Sequence, residues 1–306
     1  MRRFGYLGIV AALFLQGCAT TKSVPDFNLP PLGGLFDAAR NNDALAVEAL
    51  IVGGENPNEA NLQKSRPLHY AAAFGALDAT RCLLNNGALP NPRDIYGNTP
   101  LRIAVVKGWM DLADFLLKRG ATLQTRNLEG ETLLHYAAVS GNIELAKFLK
   151  HRGLSLSSRD KRGFTPLHVA ARAGQSAMVR YLLAAGAQID LGADRVATPL
   201  HLALDGGFPT LAKFLIDHGA PLDASGDHGR TPLHWAAFKG YFDIALLLID
   251  QEVPVGQVDG AGDTPLHLAL EGGHPDVALL LVRRGAPVQK GDLLSNSPLH
   301  LAAWKG

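Results

Sequence analysis

The sequence predicts an all-α solenoid, and three observations predict it. One six-residue motif recurs at a fixed period, a glycine follows each copy at a fixed distance, and a second apolar segment follows each glycine. The motif Thr-Pro-Leu-His-x-Ala has its first position at 66, 99, 132, 165, 198, 231, 264 and 297, a period of 33 residues without a slip. A period of this length marks stacked supersecondary units, each burying its hydrophobic face only against its neighbours.

Each position in the repeat has a physical reason. The threonine suits a helix N-cap, where its hydroxyl accepts from an orphan amide of the first turn. Proline follows at the first helical position, where its missing N–H costs nothing and its fixed φ fits the helix. Leucine and the alanines that follow give a close-packed buried side. The ninth residue after the threonine is Gly75, Gly108, Gly141, Gly174, Gly207, Gly240, Gly273 or Gly306, placed to end helix one in a left-handed conformation. Helix two then carries apolar runs such as Phe115-Leu116-Leu117, Tyr181-Leu182-Leu183 and Phe214-Leu215-Ile216. It stops at Gly-Ala pairs, as at Gly120-Ala121 and Gly219-Ala220. The polar Asp-x-x-Gly segments from Asp94 to Gly97 and from Asp160 to Gly163 read as turns between repeats.

This motif at this period resembles the ankyrin repeat, whose helix–loop–helix units are joined by β-turn tips. The resemblance implies an all-α ankyrin-repeat solenoid that binds proteins and is not an enzyme. It also implies that the motif histidines, His69, His135, His168, His201, His234, His267 and His300, tie neighbouring turns together by hydrogen bonds. A row of histidines suggests a metal site, but the spacing argues against one. Successive copies lie one helix-packing distance apart, roughly 8–10 Å, whereas zinc ligands converge to about 2 Å from one ion.

Departures from the pattern mark weaker points. Arg66 replaces a threonine, Arg102 a histidine and Leu133 a proline, while Glu252-Val253 stands where Gly-Ala is expected. The helix end near 252 should therefore be less well capped, each such loss costing on the order of 1 kcal/mol or less.

The chain divides by sequence into residues 1–17, 18–32, 33–65, 66–296 and 297–306. Residues 33–65 are a degenerate capping repeat, with Leu35-Phe36-Asp37-Ala38-Ala39 aligned to the motif and Val47, Leu50 and Ile51 to helix two. A first unit must face water on one side, which explains its polarity. Seven repeats fill 66–296. A partial repeat follows, in which Leu299, Leu301 and Trp304 have no second helix beside them, the pattern expected of a longer protein or of a surface covered by a partner. The unbroken period gives one elongated, monomeric domain from about 33 to 306.

The N-terminus has its own signal. Met1-Arg2-Arg3 is basic, an apolar run extends from about Phe4 to Leu15, and Gln16-Gly17-Cys18 follows. The run is too short for a membrane span, which needs roughly 20 residues, and fits a secretory signal peptide. Leu15-Gln16-Gly17-Cys18 resembles the bacterial lipoprotein signal, although Gln16 is less usual at its place. That resemblance implies cleavage before Cys18, lipidation of Cys18, and, with Ala19 rather than Asp next, an outer-membrane destination facing the periplasm. Residues 18–32 then form a tether reaching at most about 50 Å. Cys82, the other cysteine, aligns with Phe115 and Phe148 and reads as a buried core thiol.

Charge excludes further classes. The chain has 29 basic and 28 acidic side chains; loss of Arg2 and Arg3 leaves 27 against 28, a net charge of −1. That is no electrostatic footprint for nucleic acid. There is no phosphate loop, nucleophile elbow, His-Glu-x-x-His, Cys-x-x-Cys or EF-hand pattern, and no cofactor is expected.

The family resemblance places partner contacts at the turn tips and the ends of helix one. In this sequence those positions bring forward Phe74, Tyr96, Lys107, Leu128, Lys161, Arg162, Phe164, Arg172, Arg195, Arg230, Phe238 and Lys239. Aromatic and arginine side chains are common hot-spot types, and Lys161, Arg162 and Arg172 form a cationic patch suited to an acidic partner. Tyr136 and Trp235 occupy core-facing motif positions. The expected function is a membrane-anchored interaction scaffold of the bacterial cell envelope. The competing expectation is a secreted or surface-displayed effector that binds host proteins.

Overall fold

The computed structural model describes residues 33–190 and 197–305. The signal, Cys18, the tether and Arg195 lie outside them. Among the described residues there are seventeen α-helices, one short 3-10 turn at Asp227–Gly229 and no strand. The fold class is the all-α repeat solenoid that the periodicity predicts.

The chain forms two compact units, Met1–Tyr136 with Phe148–Leu154, and Ala137–Lys147 with Ser155–Gly306. The first holds α1 (Gly34–Arg40), α2 (Ala44–Val52), α3 (Pro67–Phe74), α4 (Leu77–Asn85), α5 (Pro100–Lys107) and α6 (Met110–Lys118). The next pair, α7 (Leu133–Ser140) and α8 (Ile143–His151), contributes residues to both units. The second unit continues with α9 (Pro166–Arg172), α10 (Ser176–Ala184), α11 (Pro199–Asp205), α12 (Pro209–Asp217) and α13 (Pro232–Lys239). It ends with α14 (Phe242–Asp250), α15 (Pro265–Gly272), α16 (Pro275–Arg283) and α17 (Pro298–Lys305).

Within the first unit α1 packs on α3 and α3 on α5, while α2 packs on α4. Within the second, α9, α11, α13, α15 and α17 pack in succession, and α14 lies against α12 and α16. Helix one is enclosed where a repeat lies on either side: α3 buries every residue from Pro67 to Ala73, and α5 every residue from Pro100 to Val106, whereas α17 exposes Leu299 and Trp304. Helix two buries one stripe only, such as Ala79, Thr80 and Leu83 in α4 or Ile244, Ala245, Leu248 and Ile249 in α14. That is the amphipathic pattern of a helix with one face in water. The first repeat follows the same plan. Phe36 stands edge-on to Tyr70 at 5.1 Å between centroids, and Leu45 and Val52 of α2 face solvent.

Helix one ends where the sequence places its glycines, with Gly75 at φ 71°, Gly108 at 82° and Gly240 at 71°. Two expectations need correction. Cys82 is half-buried on helix two, its Sγ 3.6 Å from Asn86 Nδ2, because that stripe of the helix is only partly covered by its neighbours. Burial and the nearby Glu48 carboxylate push its thiol pKa up. The helix end near 252 keeps its closing bonds, Glu252 N–H to the Ile249 carbonyl at 2.9 Å and Val253 N–H to that of Leu248 at 3.2 Å. Glu252 makes them by adopting φ 61° itself, so the cost lies in a left-handed non-glycine backbone and not in lost capping.

Candidate functional site

Most of the turn tips between repeats are built by one side chain. Five residues before the motif threonine, an Asp or Asn turns its Oδ1 onto two backbone amides. Asp94 accepts from Tyr96 at 2.9 Å and Asn98 at 2.8 Å. Asn61, Asn127, Asp160, Asp259 and Asp292 repeat the arrangement. Such a side chain imitates a backbone turn, which is why Asp and Asn are selected there. The tip before Thr231 has Gly226 at that place, and there His228 turns left-handed at φ 60°. Backbone bonds join neighbouring tips. In the first unit Ile95 N–H donates to the Gln63 carbonyl at 2.9 Å and Leu128 N–H to that of Tyr96 at 3.1 Å. In the second, Leu293 N–H donates to the Ala261 carbonyl at 3.0 Å.

The motif histidines hold each tip to the repeat before it. His234 Nδ1 lies 3.2 Å from Thr231 N and 2.8 Å from its hydroxyl, and Nε2 lies 3.1 Å from the Asp263 carbonyl. A carbonyl opposite Nε2 requires the proton there, so Nδ1 is an acceptor and the hydroxyl donates to it. The hydroxyl also keeps the N-cap role expected from sequence, since the Thr231 side chain accepts from the His234 amide in a capping box. His69, His201 and His267 reach the carbonyls of Asn98, Arg230 and Asn296 in the same way. Burial lowers the pKa of His201 and His234 to about 4, so both are neutral at physiological pH. Arg102, standing in for a histidine, sends Nη1 to the Glu131 carbonyl at 3.3 Å, the same 29-residue reach.

The residues singled out from sequence fall into three groups. Tyr96 (60 % exposed), Leu128 (54 %) and Phe74 (37 %) are open, Phe74 with the Arg40 guanidinium 4.6 Å over one face. Lys107, Lys161 and Arg162 are also exposed, and Arg172 is half-buried at the end of α9. A second group is engaged within the protein. Arg230 pairs with Asp259 at 3.1 Å and lies over the Trp235 and Phe238 rings. Lys239 pairs with Asp205 at 3.3 Å, and Phe238 is half-buried, edge-on to Trp235. Phe164 stands alone: it is 8 % exposed, stacked on His168 at 5.7 Å and roofed by Arg162. The ring expected at the surface is a support beneath it, and the tip offers the guanidinium instead.

Trp109 was missed. Its indole lies on Gly75, where a Cβ would come within 2.7 Å of the ring, and its Nε1 donates to the Ala73 carbonyl at 3.4 Å. It is 44 % exposed beside Phe74. Gln175 does the same over Gly141, with Nε2 3.0 Å from the Val139 carbonyl, and Phe208 and His274 cover Gly174 and Gly240. The available signal was a planar side chain one residue after the C-cap glycine.

Some aromatics on the outer stripe of helix two are covered by the chain's own arginines, while Phe242, Leu279 and Val282 stay open. In the first unit Arg81 and Arg119 lie over the Phe115 ring, and Arg119 Nη1 bonds Asn85 at 2.7 Å. In the second, Arg180 sits 3.9 Å over Phe214. Among the described residues no three His, Cys, Asp or Glu side chains are placed to share a metal ion, and no helix is long and apolar enough to cross a membrane.

One acidic tip is under electrostatic tension. Burial, then Asp259, Asp292 and Glu271, raise the Asp263 pKa to about 6, against an opposing effect of Arg230. At the same place in other tips an amide faces the carboxylate: Asn98 Nδ2 bonds Asp94 at 3.1 Å, and Asn296 Nδ2 bonds Asp292 at 3.1 Å.

Comparison with known proteins agrees with this geometry. A family model described as ankyrin repeats (3 copies) matches residues 35–127, 122–193 and 190–259, and one described as ankyrin repeat matches 261–293. No curated protein matches the chain. With its repeats matched over most of its length, the chain belongs to the ankyrin-repeat family.

Proposed function

We propose that this chain is a protein–protein interaction scaffold, tethered through a lipidated Cys18 to the periplasmic face of the bacterial outer membrane. Its contact surface comprises the tips and the ends of helix one. The observation that carries the binding role is the open apolar surface at adjacent tips, Tyr96 and Leu128, which the Leu128 N–H to Tyr96 carbonyl bond holds side by side, with Phe74 exposed at the end of α3. Exposed aromatic side chains at the centre of an interface supply much of its energy. The membrane half of the reading is supported by the n-region, apolar run and Leu15-Gln16-Gly17-Cys18 alone. Doubly or triply acylated proteins stay on a bilayer.

Crosslinking in intact cells followed by affinity capture tests the scaffold role. The wild type should yield a stoichiometric protein partner that is lost when Phe74→Ser, Tyr96→Ser and Leu128→Ser are combined without a change in unfolding midpoint. Retention of the same partner by the folded triple variant would place binding elsewhere. Labelling with a radioactive fatty acid tests the anchor: incorporation should vanish in Cys18→Ser, and an unlabelled wild type would remove the membrane assignment.

A further inference from the structure

We infer that the tip and helix-one end of the repeat spanning residues 155–187 dock a short acidic segment of a partner protein, a conclusion that rests on the scaffold reading above. The inference starts from charge. This repeat carries five cations, Arg159, Lys161, Arg162, Arg172 and Arg180, and one carboxylate, Asp160. The three repeats that follow in the same unit, 188–220, 221–253 and 254–286, carry four, five and four carboxylates against two cations each. Within the second unit the cationic surface is therefore local, whereas in the first unit repeat 89–121 also carries five cations, against three carboxylates.

The lone carboxylate offsets one charge of the five. Asp160 has a side chain 1 % exposed, its Oδ1 held by the Arg162 and Phe164 amides and its Oδ2 by Arg162. Arg162 is held in one orientation. Its Nε and Nη2 lie 3.4 and 3.3 Å from Asp160 Oδ2, and its guanidinium rests 4.7 Å over Phe164, which stacks on His168. The side chain still exposes 52 % of its surface. Lys161 beside it is exposed and makes no ion pair among the described residues. Arg172 closes α9 at the other end of the same helix one. A guanidinium already ordered loses little freedom on binding, and its planar fork matches a carboxylate.

Size and surroundings select the occupant. One repeat is roughly 8–10 Å wide, the length of about three extended residues. A nucleic acid or an anionic bilayer presents negative charge over a much longer span and would meet the acid-rich repeats 188–286. A run of about three Asp or Glu side chains meets only the cationic one.

The test uses the full chain and two fluorescent peptides, Gly-Ser-Asp-Glu-Asp-Gly-Ser and its Lys-Arg-Lys counterpart, read by anisotropy at low and high salt. The acidic peptide should bind and the basic one should not. Lys161→Glu with Arg162→Glu should weaken binding about tenfold or more, as expected for reversing charges at a contact. Arg172→Glu, away from the tip, should weaken it in the same direction and guards against a tip that simply fails to form. Lys213→Glu with Arg283→Glu changes net charge equally on helix two and should leave binding intact. An equal loss in that control, or equal binding of both peptides, would overturn the inference in favour of net charge. Loss of phosphatidylglycerol-vesicle binding in the tip variant, with no peptide binding by the wild type, would overturn it in favour of lipid. The same tip variant taken through in-cell capture separates the two readings. If it retains the wild-type partner, the scaffold stands and this inference falls; if the wild type captures nothing, both fall.

Discussion

Two tips of the second unit share one backbone and differ in everything electrical. At 160–164 a buried Asp caps two amides and a cation, Arg162, answers it from the same turn. At 259–263 the capping Asp is identical in role, but Asp263 adds a second carboxyl, and the answering cation, Arg230, comes from the preceding tip. The turn survives both arrangements because it depends on Oδ1 and a left-handed fourth residue, not on net charge. The repeat therefore separates the support of the turn, which both tips share, from its charge, which differs between them.

That separation is tested most severely by cutting the shared support. His234→Ala removes the acceptor for Thr231 and the donor to the Asp263 carbonyl, and should cost about 3 kcal/mol, the sum of a lost cap and a buried unpaired group. Urea unfolding checks it; a loss below about 1 kcal/mol would mean the tip holds itself.

Acid attacks the same support at His201 and His234. His201 and His234 have folded pKa values of about 4, below the ordinary 6.5, so the folded state binds fewer protons than the unfolded chain. Their stabilisation is complete above pH 6.5 and is lost as pH falls through 4, by up to about 3 kcal/mol each. Melting temperature measured between pH 7 and pH 4 should fall accordingly, and a flat profile would mean that burial does not hold these imidazoles neutral.

Asp263 runs with the opposite sign. Its folded pKa of about 6 exceeds the usual 3.8, so the folded state binds more protons, and stability drops as pH rises through 6. Asp263→Asn should add about 1 kcal/mol at pH 8, the worth of one hydrogen bond, by giving Asp259 the amide that Asn98 gives Asp94. The gain should shrink by pH 5; an equal gain at both would trace it to something other than the carboxylate pair. The smallest change is expected at the cationic tip. Arg162→Gln should cost under about 1 kcal/mol, because the ion pair is half in water, and thermal unfolding would expose a larger structural role.

The fold was legible because each of its determinants is local. Thr-Pro sets a start, Gly75 and its equivalents set a stop, and a period of 33 sets the register. The site was legible only in part, since exposure depends on which side chains cover which, from neighbours in the same tip to those in the next repeat. Phe164 looked accessible until Arg162 and His168 were seen to enclose it. Arg230 and Lys239 looked free until Asp259 and Asp205 were placed opposite them. Trp109 follows Gly108 in the chain, and only three dimensions place its indole on Gly75, 34 residues earlier. Arg102 departs from the motif by type, yet reaches the carbonyl a histidine would have reached, a substitution readable only in three dimensions.

The histidine ties carry a consequence for how such a chain changes length. Each runs from a motif position to the carbonyl 29 residues onward, and that carbonyl always precedes another Thr or Ser of the motif. Excising residues 231–263 would join Arg230 to Thr264, and His201 would still meet its own carbonyl with a complete motif following. Duplication or loss of 33 residues in register leaves every imidazole provided for, whereas insertion of one residue in a tip strands an imidazole and a carbonyl at once. Gene rearrangement can thus resize this scaffold in whole repeats, each bringing its own tip and its own charge.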